Sequence, residues 1–376
     1  MAITVQRFSE VQFRAMGDAW QACLAESDAN RLFMSWPWLY SWWETWSQIL
    51  GLDLYLLGAF DERNILVGIA PLYRRRSYMP VGLRIDRLQI IGNAWRVSPT
   101  VRTEYCGLIF HRDRADDIRR ALLQHLAQSG WDELVLCDVS PEEVEANRRV
   151  IGDAAGPVTC IRRVTDEGVS IDTTGVFGDW LKTLGKHTRL KVFNRRQYLS
   201  GKSDIQFVEA KTSDFGRFFD LLNHFHVYRW GKPAFDREAV LFHNRLLRRL
   251  SPGMRAACTF LMVDGREVSV LYDIFAGGVR YNLQSGFQED LDPKVSLGRL
   301  HLGFAIEQAF LDETCAHYDL LAGRGKHSDY KRHFAGRINE FVTAELVRSP
   351  HLRLLYREQE RLPAGWRRTI NRAFRL

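Results

Sequence analysis

Residues 256–287 read AACTFLMVDGREVSVLYDIFAGGVRYNLQSGF, and this stretch decides the fold. Its three apolar runs are separated by Asp264-Gly265 and by Gly277-Gly278, which are strong signals for tight turns between antiparallel strands. A loop at 288–294 leads into a long apolar segment that predicts a helix from Ser296 to about Asp312. The run 317–321 predicts one more strand. Three antiparallel strands, a helix and a further strand form an open α/β layer.

The start of the predicted helix has the character of an anion site. Unpaired backbone N–H groups and the helix dipole favour negative charge there. Gly298 permits close approach of a ligand to the backbone, and Lys294 and Arg299 add positive charge. We therefore predict that residues 296–299 (Ser296, Leu297, Gly298 and Arg299), with Lys294, bind a phosphate-bearing cofactor. The alternative is that Gly298 serves helix packing and the cations are solvated, since such a short motif has low specificity.

The composition is that of a folded, water-soluble chain. The 376 residues suffice for two domains, and 46% are hydrophobic while 26% are charged. No window reaches the roughly 18 apolar residues of a membrane span, and the N-terminus lacks a signal-peptide pattern, so we expect a cytoplasmic protein. The six cysteines form no paired motif, which favours reduced thiols in the core.

Positive charge is concentrated in two segments. The formal net charge is +7, and residues 351–376 hold seven arginines against two glutamates. The run 182–196 is also strongly basic. Basic faces suit a phosphorylated cofactor, an RNA or an anionic lipid surface, although solvated helix faces have the same composition. Leucines and aromatic residues among the tail arginines suggest peripheral contact with an anionic membrane.

The order of elements recurs within the chain. A helix predicted at 116–129 and a strand at 131–139 repeat the helix and strand of 297–321, which indicates a structural duplication. Five tryptophans between 36 and 46 predict a helix buried in the core, or alternatively a stacking platform. Residues 141–157 read as a polar connection, residues 104–110 as a strand and residues 179–199 as one basic helix. The predicted domains are 1–160, 161–345 and a basic amphipathic tail, 346–376.

The two repeats differ at the start of the equivalent helix. In the first repeat, Asp113, Asp116 and Asp117 crowd the end where a phosphate would bind, and no glycine is present. Since carboxylates repel a pyrophosphate, the sequence assigns cofactor binding to the second repeat. The first repeat is left with a degenerate, structural or acceptor-binding role.

Several segments together resemble a known family. They are similar to segments of the BioF2-like or CelD-like acetyltransferases. The matching segments are Trp36-Pro37-Trp38-Leu39, the run 66–73 (LVGIAPLY), the basic helix 186–196, Arg229-Trp230-Gly231 and 318–324 (YDLLAGR). These are GNAT acyltransferases related to the Fem peptidyltransferases. The resemblance implies tandem GNAT-like α/β domains, each with a mixed, mostly antiparallel sheet flanked by helices. The usual GNAT phosphate loop has more glycines than residues 294–299.

The resemblance also implies acyl transfer from acetyl-CoA or another acyl-CoA to an amine or hydroxyl group. Acceptors in this family are often small molecules or precursors of the cell envelope or exopolysaccharides. Three classes of function stay open: the acyl-CoA-dependent transferase, a Fem-like transferase that uses aminoacyl-tRNA, and a non-catalytic protein that binds an envelope precursor. Nucleic acid other than tRNA is not expected as a partner.

Candidate catalytic residues follow from the chemistry of acyl transfer. A backbone N–H in Ser285, Gly286 or Phe287 would polarise the donor carbonyl. His226 or Asp319 would take the proton of the acceptor, and Tyr330 would donate one to the leaving group. Each has a structural alternative: a histidine at a helix end, a carboxylate paired with a cation, and a core tyrosine.

The sequence also predicts residues that bind the substrate, but none that bind a metal. The predicted substrate-binding residues are Arg229, Trp230, Arg324 and Lys331. His224, His226 and His243 lack a recognisable ligand spacing, so the sequence predicts no metal site.

Overall fold

The computed structural model describes residues 2–78, 84–323 and 329–361. The chain divides into a first unit, made of the residues up to 166 and those from 340 onward, and a second unit, 167–339. The first unit holds β1 (Thr4–Phe8), α1 (Glu10–Ala15), α2 (Gly17–Ala25), α3 (Trp36–Leu50), β2 (Asp53–Phe60), β3 (Leu66–Tyr78), β4 (Arg84–Ile90), β5 (Ile109–Phe110), α4 (Ala115–Gln128), β6 (Glu133–Val139), α5 (Pro141–Ala155) and the first part of β7 (Thr159–Asp172).

The second unit continues the chain with its own helices and strands. They are α6 (Phe177–Thr183), α7 (Lys186–Arg189), α8 (Arg195–Ser200), β8 (Ile205–Glu209), α9 (Phe215–Trp230), α10 (Arg237–Arg248), β9 (Met254–Ala256), β10 (Thr259–Val263), β11 (Arg266–Ala276), β12 (Val279–Phe287), α11 (Leu297–Leu311) and β13 (His317–Ala322). The chain then returns to the first unit through β14 (Arg337–Val347), which is followed by α12 (Pro350–Arg361).

Both units contain the same arrangement around one parallel strand pair. In the first unit the strand order is β1–β2–β3–β4–β6–β14; β4 and β6 are parallel and α4 connects them. In the second it is β7–β13–β12–β11–β10–β8; β12 and β13 are parallel and α11 connects them. The remaining recorded pairings within these orders are antiparallel. The predicted fold class, two α/β units with mixed, mostly antiparallel sheets flanked by helices, is confirmed.

The tryptophan-rich helix α3 belongs to the core of the first unit. Ser35 caps its start by accepting a hydrogen bond from the Trp38 amide, and Gly51 ends it in the left-handed conformation with φ of 60°. Trp38, Trp42, Trp43 and Trp46 are all buried. Their burial favours the core interpretation over a stacking platform.

Three local predictions were wrong. Residues 141–157 contain a 15-residue helix, α5, because Ser140 caps it and Pro141 occupies its first turn. The single basic helix predicted from Asp179 to Leu199 is broken at Gly185, and a π-helical turn spans Leu190–Asn194. The strand predicted at 104–110 is limited to Ile109–Phe110.

The structural division differs from the predicted domain boundaries at 160/161 and 345/346. β14 pairs with β6 from Val342 to Val347, so this part of the chain belongs with the first unit. α12 also packs there, since Leu352 and Tyr356 join Ile85 and Ile161 in a buried cluster. The segment from 346 to 361 is therefore integrated into the first unit instead of forming a separate tail.

Candidate functional site

The second unit contains a cavity of about 830 Å³. It is formed by the end of α9, the second half of β12, the start of α11, the start of α7 and the turn near residue 330. The lining residues are Gly185, Lys186, His187, Thr188, Phe225, His226, Arg229, Trp230, Leu271, Asn282, Gln284, Ser285, Gly286, Phe287, Ser296, Gly298, Arg299, Leu302, Tyr330 and His333. Lys186, Arg229 and Arg299 supply cations, of which Arg229 pairs with Glu289 outside the lining, and no carboxylate is found among the described lining residues. The cavity therefore favours an anionic ligand.

Within the described part of the chain, one edge of β12 has no strand partner beside this cavity. The parallel pairing of β12 with β13 covers Val279, Arg280 and Tyr281, whereas β12 continues to Phe287. A register shift after Asn282 places an extra residue in β12 opposite Tyr272 and Asp273. Such a bulge re-aims the strand that carries it. The diverging strands thus leave backbone groups of β12, on the side away from β11, to be bonded by side chains or by a ligand instead of by a strand.

The direction of those backbone groups follows from the hydrogen-bond pattern between β12 and β11. In an antiparallel pair, alternate residues direct both N–H and C=O to the neighbouring strand. The Gln288 N–H donates to the Val268 carbonyl, so residues of the same parity, Gly286 and Gln284, face β11. Ser285 and Phe287 consequently direct their backbone groups to the uncovered edge. The stretch predicted to polarise a donor carbonyl lies on the cavity wall with two amides facing outward from the sheet.

His226 contacts this edge directly. Its Nε2 lies 2.9 Å from the Ser285 carbonyl oxygen. A carbonyl can only accept, so Nε2 carries the proton and the Nδ1 lone pair is available as a base. Burial lowers the pKa of His226 below its usual value, and Arg229 acts in the same direction, while the Ser285 carbonyl opposes them. His226 is therefore held in its neutral form near pH 7.

The start of α11 forms another part of the wall. Ser296 occupies the N-cap position without making a side-chain cap. The Arg299 amide donates to the Ser296 carbonyl at 3.1 Å, so the amides of Leu297 and Gly298 are the first-turn groups that a ligand could use. Arg299 lines the cavity, and its guanidinium carbon lies 5.2 Å from the centre of the Tyr330 ring. Lys294 is exposed and is not part of the lining, and Leu297 is buried in a neighbouring apolar cluster. Of the predicted phosphate-binding side chains, those of Ser296 and Arg299 line the cavity.

Gly298 has a packing role that the sequence alternative anticipated. A Cβ atom at this position would meet the Phe287 ring at 2.4 Å, well inside van der Waals contact. The ring of Phe287 thus occupies the space that a side chain would need. Gly298 is required for the approach of α11 to β12 regardless of any ligand.

Tyr330 and the end of α9 complete the cavity. Burial raises the pKa of the Tyr330 hydroxyl above its usual value, although Arg299 and Arg229 lower it, so the hydroxyl stays protonated at neutral pH. Arg229 pairs with Glu289 at 2.6 Å and lies between the rings of Trp230 and Phe287. The predicted residues His226, Arg229, Trp230 and Tyr330 therefore come together in one cavity.

Asp319 and Lys331 lie elsewhere. Asp319 is buried within β13, where its Oδ1 accepts a hydrogen bond from the Leu321 amide at 2.7 Å. The Lys331 ammonium donates to the carbonyls of residues 320, 321 and 322, at 2.6, 3.1 and 3.3 Å. Neither residue lines the cavity. Arg324, the remaining predicted substrate-binding residue, falls outside the described residues.

The sequence prediction missed two groups of lining residues. Gly185, Lys186, His187 and Thr188 reach the cavity because the basic helix begins at residue 186, a start that the glycine at 185 could have indicated. Asn282 and Gln284 belong to the predicted strand, but the sequence does not show that its edge is uncovered. His333 follows Tyr330 in a 3₁₀ turn and also lines the cavity.

The first unit has a cavity of a different character. It measures about 580 Å³ and lies near the carboxyl end of β6. Arg102 lines it, but its guanidinium is bonded to Asp138 at 2.8 and 2.6 Å and to Asp166 at 2.8 Å. The helix α4 has Asp116 and Asp117 in its first turn. The predicted electrostatic contrast between the two helix starts is thus present in the structure.

Among residues 2–78, 84–323 and 329–361, no cluster of histidine, cysteine, aspartate or glutamate has the arrangement of a metal site. Within the same part of the chain, no helix combines the length and the apolar character needed to cross a bilayer.

Comparison with known proteins places the second unit in context. A model of an acetyltransferase (GNAT) domain matches residues 186–332. The crystal structure of FemX is similar over 94% of this chain and 99% of that chain, with 11% identity and a TM-score of 0.60. A conserved protein of unknown function from Bacteroides thetaiotaomicron is similar over 92% of this chain and all of that one, with 10% identity and a TM-score of 0.58. No curated protein matches the sequence.

Proposed function

Since this chain has the GNAT-superfamily, Fem-related fold, we propose that it is an acyltransferase whose second unit transfers an acyl group from acyl-CoA to an amine. The acceptor we propose is a small molecule or a cell-envelope or exopolysaccharide precursor. The observation that carries the proposal is a single cavity that combines an uncovered strand edge, an α11 start without a side-chain cap and an excess of cations. An acyl-CoA combines a carbonyl, an amide-bearing arm and phosphates, which match these three features.

The phosphates would be held at the start of α11. The Leu297 and Gly298 amides of α11 and the Arg299 guanidinium provide hydrogen-bond donors and positive charge, and the described lining residues include no competing carboxylate. Lys186 extends the positive surface on the other side of the cavity. These groups are suited to a diphosphate, and the donor, once bound, supplies the activated acyl group.

The chain's own residues would then perform the proton transfers. An outward-facing amide of β12, at Ser285 or Phe287, polarises the acyl carbonyl. His226 Nδ1 takes the proton of the attacking amine while Nε2 keeps its bond to the Ser285 carbonyl. Tyr330, kept protonated by burial, is positioned on the same cavity wall to donate a proton to the leaving group. His226 is a better base than Asp319, because Asp319 is engaged in a turn and does not line the cavity.

The donor is tested by ligand-dependent thermal stability. Coenzyme A, acetyl-CoA and longer acyl-CoAs are each titrated against the full chain, and a ligand that binds the folded state raises Tm with concentration. We expect a shift at micromolar to millimolar coenzyme A that Arg299→Glu abolishes. Absence of any shift with all three ligands at millimolar concentration would remove acyl-CoA as the donor.

A second candidate donor is aminoacyl-tRNA. It is favoured by the similarity to FemX over nearly the whole of both chains and by the exposed basic residues Lys186, His187 and Lys191 beside the cavity. An RNA donor predicts binding that weakens steeply as salt rises, with a slope set by the number of phosphate contacts. Filter binding of charged tRNA at 50 and 200 mM salt, with Lys186→Ala/Lys191→Ala as the variant, separates the two donors.

The position of α12 limits which residues of the C-terminal segment could contact a membrane. Its apolar residues Leu352 and Tyr356 are buried in the first unit and are unavailable to a lipid surface. The proposal of peripheral binding therefore rests on the arginine-rich segment 362–376, which falls outside the described residues. Unchanged liposome association after truncation at 361 would contradict it.

A further inference from the structure

The outward-facing amide of Ser285 already has a partner within the chain. The side-chain Oε1 of Gln284 accepts a hydrogen bond from the Ser285 N–H at 3.0 Å. On the same peptide edge, His226 Nε2 donates to the Ser285 carbonyl at 2.9 Å. Both backbone groups that Ser285 presents to the cavity are thus satisfied by side chains, and Gln284 itself lines the cavity.

The Gln284 carboxamide has the chemistry of the group expected at this place. It presents a carbonyl oxygen to a backbone N–H, as the carbonyl of an activated acyl group would do. Two oxygens cannot both accept a full hydrogen bond from one N–H in good geometry. A donor carbonyl can therefore use the Ser285 amide only after the Gln284 side chain has moved.

We propose that Gln284 occupies the acyl-carbonyl position in the ligand-free protein and must be displaced when the donor binds. This inference rests on the proposed acyltransferase function and adds a specificity-determining residue to its site. In the absence of a donor, Gln284 provides a hydrogen-bond acceptor for the Ser285 amide on the uncovered strand edge. Without this acceptor, an unpaired N–H group would destabilise the folded protein. The side chain thereby competes with the donor for one hydrogen bond.

A competitor of this kind has a measurable consequence. Gln284→Leu removes the accepting oxygen at nearly constant side-chain size, so the donor no longer has to break a hydrogen bond. One hydrogen bond between neutral groups corresponds to a change of roughly two- to ten-fold in an equilibrium constant. We expect the Kd for acetyl-CoA, measured by calorimetry on the full chain, to fall by about that factor. Gln308→Leu, the same change at an exposed position of α11 outside the cavity lining, is the matched control and should leave the Kd unchanged.

Hydrogen exchange tests the same contact without any donor. The Ser285 amide of the ligand-free wild type should exchange slowly, and Gln284→Leu should accelerate its exchange severalfold. Addition of donor should protect this amide in both proteins. Unchanged exchange in the variant, or a Kd that rises, would overturn the assignment of Gln284.

The two proposals fail in different ways. Acetyl-CoA and a 3′-aminoacyl adenosine share the activated acyl carbonyl, and both are titrated so that the source of that carbonyl is identified. If the wild type binds one of them and Gln284→Leu binds it equally or more weakly, the role of Gln284 is refuted while the proposed function stands. If the wild type binds neither, the proposed function is refuted and the inference with it.

Discussion

At Gly298 the absence of a side chain leaves space that a neighbouring aromatic ring occupies. The Phe287 ring would lie 2.4 Å from a Cβ atom there, and the same ring packs beneath the Arg229 guanidinium at 4.8 Å. In the sequence, a glycine at the start of α11 indicates a phosphate-binding site, whereas in the structure the packing of Phe287 explains it. The two explanations predict different behaviour of one substitution.

Gly298→Ala is expected to lower the unfolding free energy by about 1–3 kcal/mol, because the ring must move from a well-packed position. Denaturant unfolding measures this loss. Phe287→Leu in the same chain removes the clash, so the double variant should recover part of the stability relative to Gly298→Ala alone. If Gly298→Ala is as stable as the wild type and loses coenzyme A binding, close approach of a ligand is the reason for the glycine.

His226 links the strand edge to proton transfer, and its variants should separate the two roles. His226→Ala should reduce kcat/KM by about 10²- to 10⁴-fold if Nδ1 is the general base. Burial lowers the pKa of His226, so the base form persists below pH 6.5 and the acid limb of the wild-type rate profile should lie under that value. His226→Gln keeps a donor for the Ser285 carbonyl but no base. An active His226→Gln enzyme with an unchanged acid limb would exclude His226 as the base.

The helix α11 is fixed to the sheet by a buried polar chain. His301 is fully buried; its Nδ1 lies 2.8 Å from Ser269 Oγ and its Nε2 lies 3.0 Å from Thr259 Oγ1. Ser269 Oγ in turn donates to the Gly286 carbonyl at 3.1 Å. The chain is consistent when Nδ1 carries the proton and Nε2 accepts from Thr259. A neutral His301 therefore connects α11 to the strands that form the cavity wall.

This burial predicts a dependence of stability on pH. Desolvation lowers the pKa of both His301 and the buried His243 to about 3, from 6.5 in an unfolded chain. Between these values the unfolded state binds more protons, so stability is fully present above pH 6.5 and decreases as the pH falls toward 3. Each histidine contributes a slope of up to about 1.4 kcal/mol per pH unit.

Chemical denaturation between pH 7 and 4 measures that slope. His301→Gln, which cannot titrate but keeps polar contacts, should reduce it, whereas His333→Gln at an exposed position is the control. If the pH dependence of the unfolding free energy is the same in His301→Gln and in the wild type, protonation of His301 does not limit stability. Carboxylates contribute equally to all three proteins and cancel in the comparison.

Local signals explain which elements the sequence could predict. The strands β10 to β13 and the helix α11 follow from alternating apolar runs, turn glycines and a continuous apolar segment. α5 was missed because its buried residues Val144, Asn147 and Ile151 are sparse among charges, although Ser140 and Pro141 mark its start. The break at Gly185 was missed because basic residues continue across it.

The parts of the site formed by residues close together in sequence could be predicted, whereas contacts between distant segments could not. The start of α11 and the 285–287 stretch are neighbours in sequence, and His226 and Tyr330 were recognised by their chemistry. The contact of His226 with the Ser285 carbonyl, 59 positions away, depends on how α9 packs on β12. The roles of Gln284 and of residues 185–188 likewise depend on a strand edge that only the three-dimensional arrangement reveals.

At the scale of the whole molecule, both units have the same arrangement of strands and connecting helix, but the charge at the start of that helix differs. α4 and α11 each connect the parallel strand pair of their unit, but α4 starts with two aspartates while the first turn of α11 has no acidic residue. In the first unit, the Arg102 guanidinium pairs with three carboxylates, those of Glu104, Asp138 and Asp166. In the second unit, Arg299 lines a cavity that has no carboxylate among its described lining residues. The two units thus share one arrangement of elements but differ in the charge at the start of the connecting helix.

This asymmetry predicts that a nucleotide-bearing donor binds to the second unit alone. Arg299→Glu and Arg120→Glu make the same charge reversal on α11 and α4, and Arg120 is exposed, so the pair is matched in net charge. We expect Arg299→Glu to weaken coenzyme A binding by about ten-fold or more, since a cation beside phosphate is replaced by an anion. Arg120→Glu should leave the calorimetric stoichiometry at one and the Kd unchanged. Equal weakening by both variants, or two bound nucleotides per chain, would show that α4 also faces a phosphate and that the acidic start of α4 does not exclude the donor.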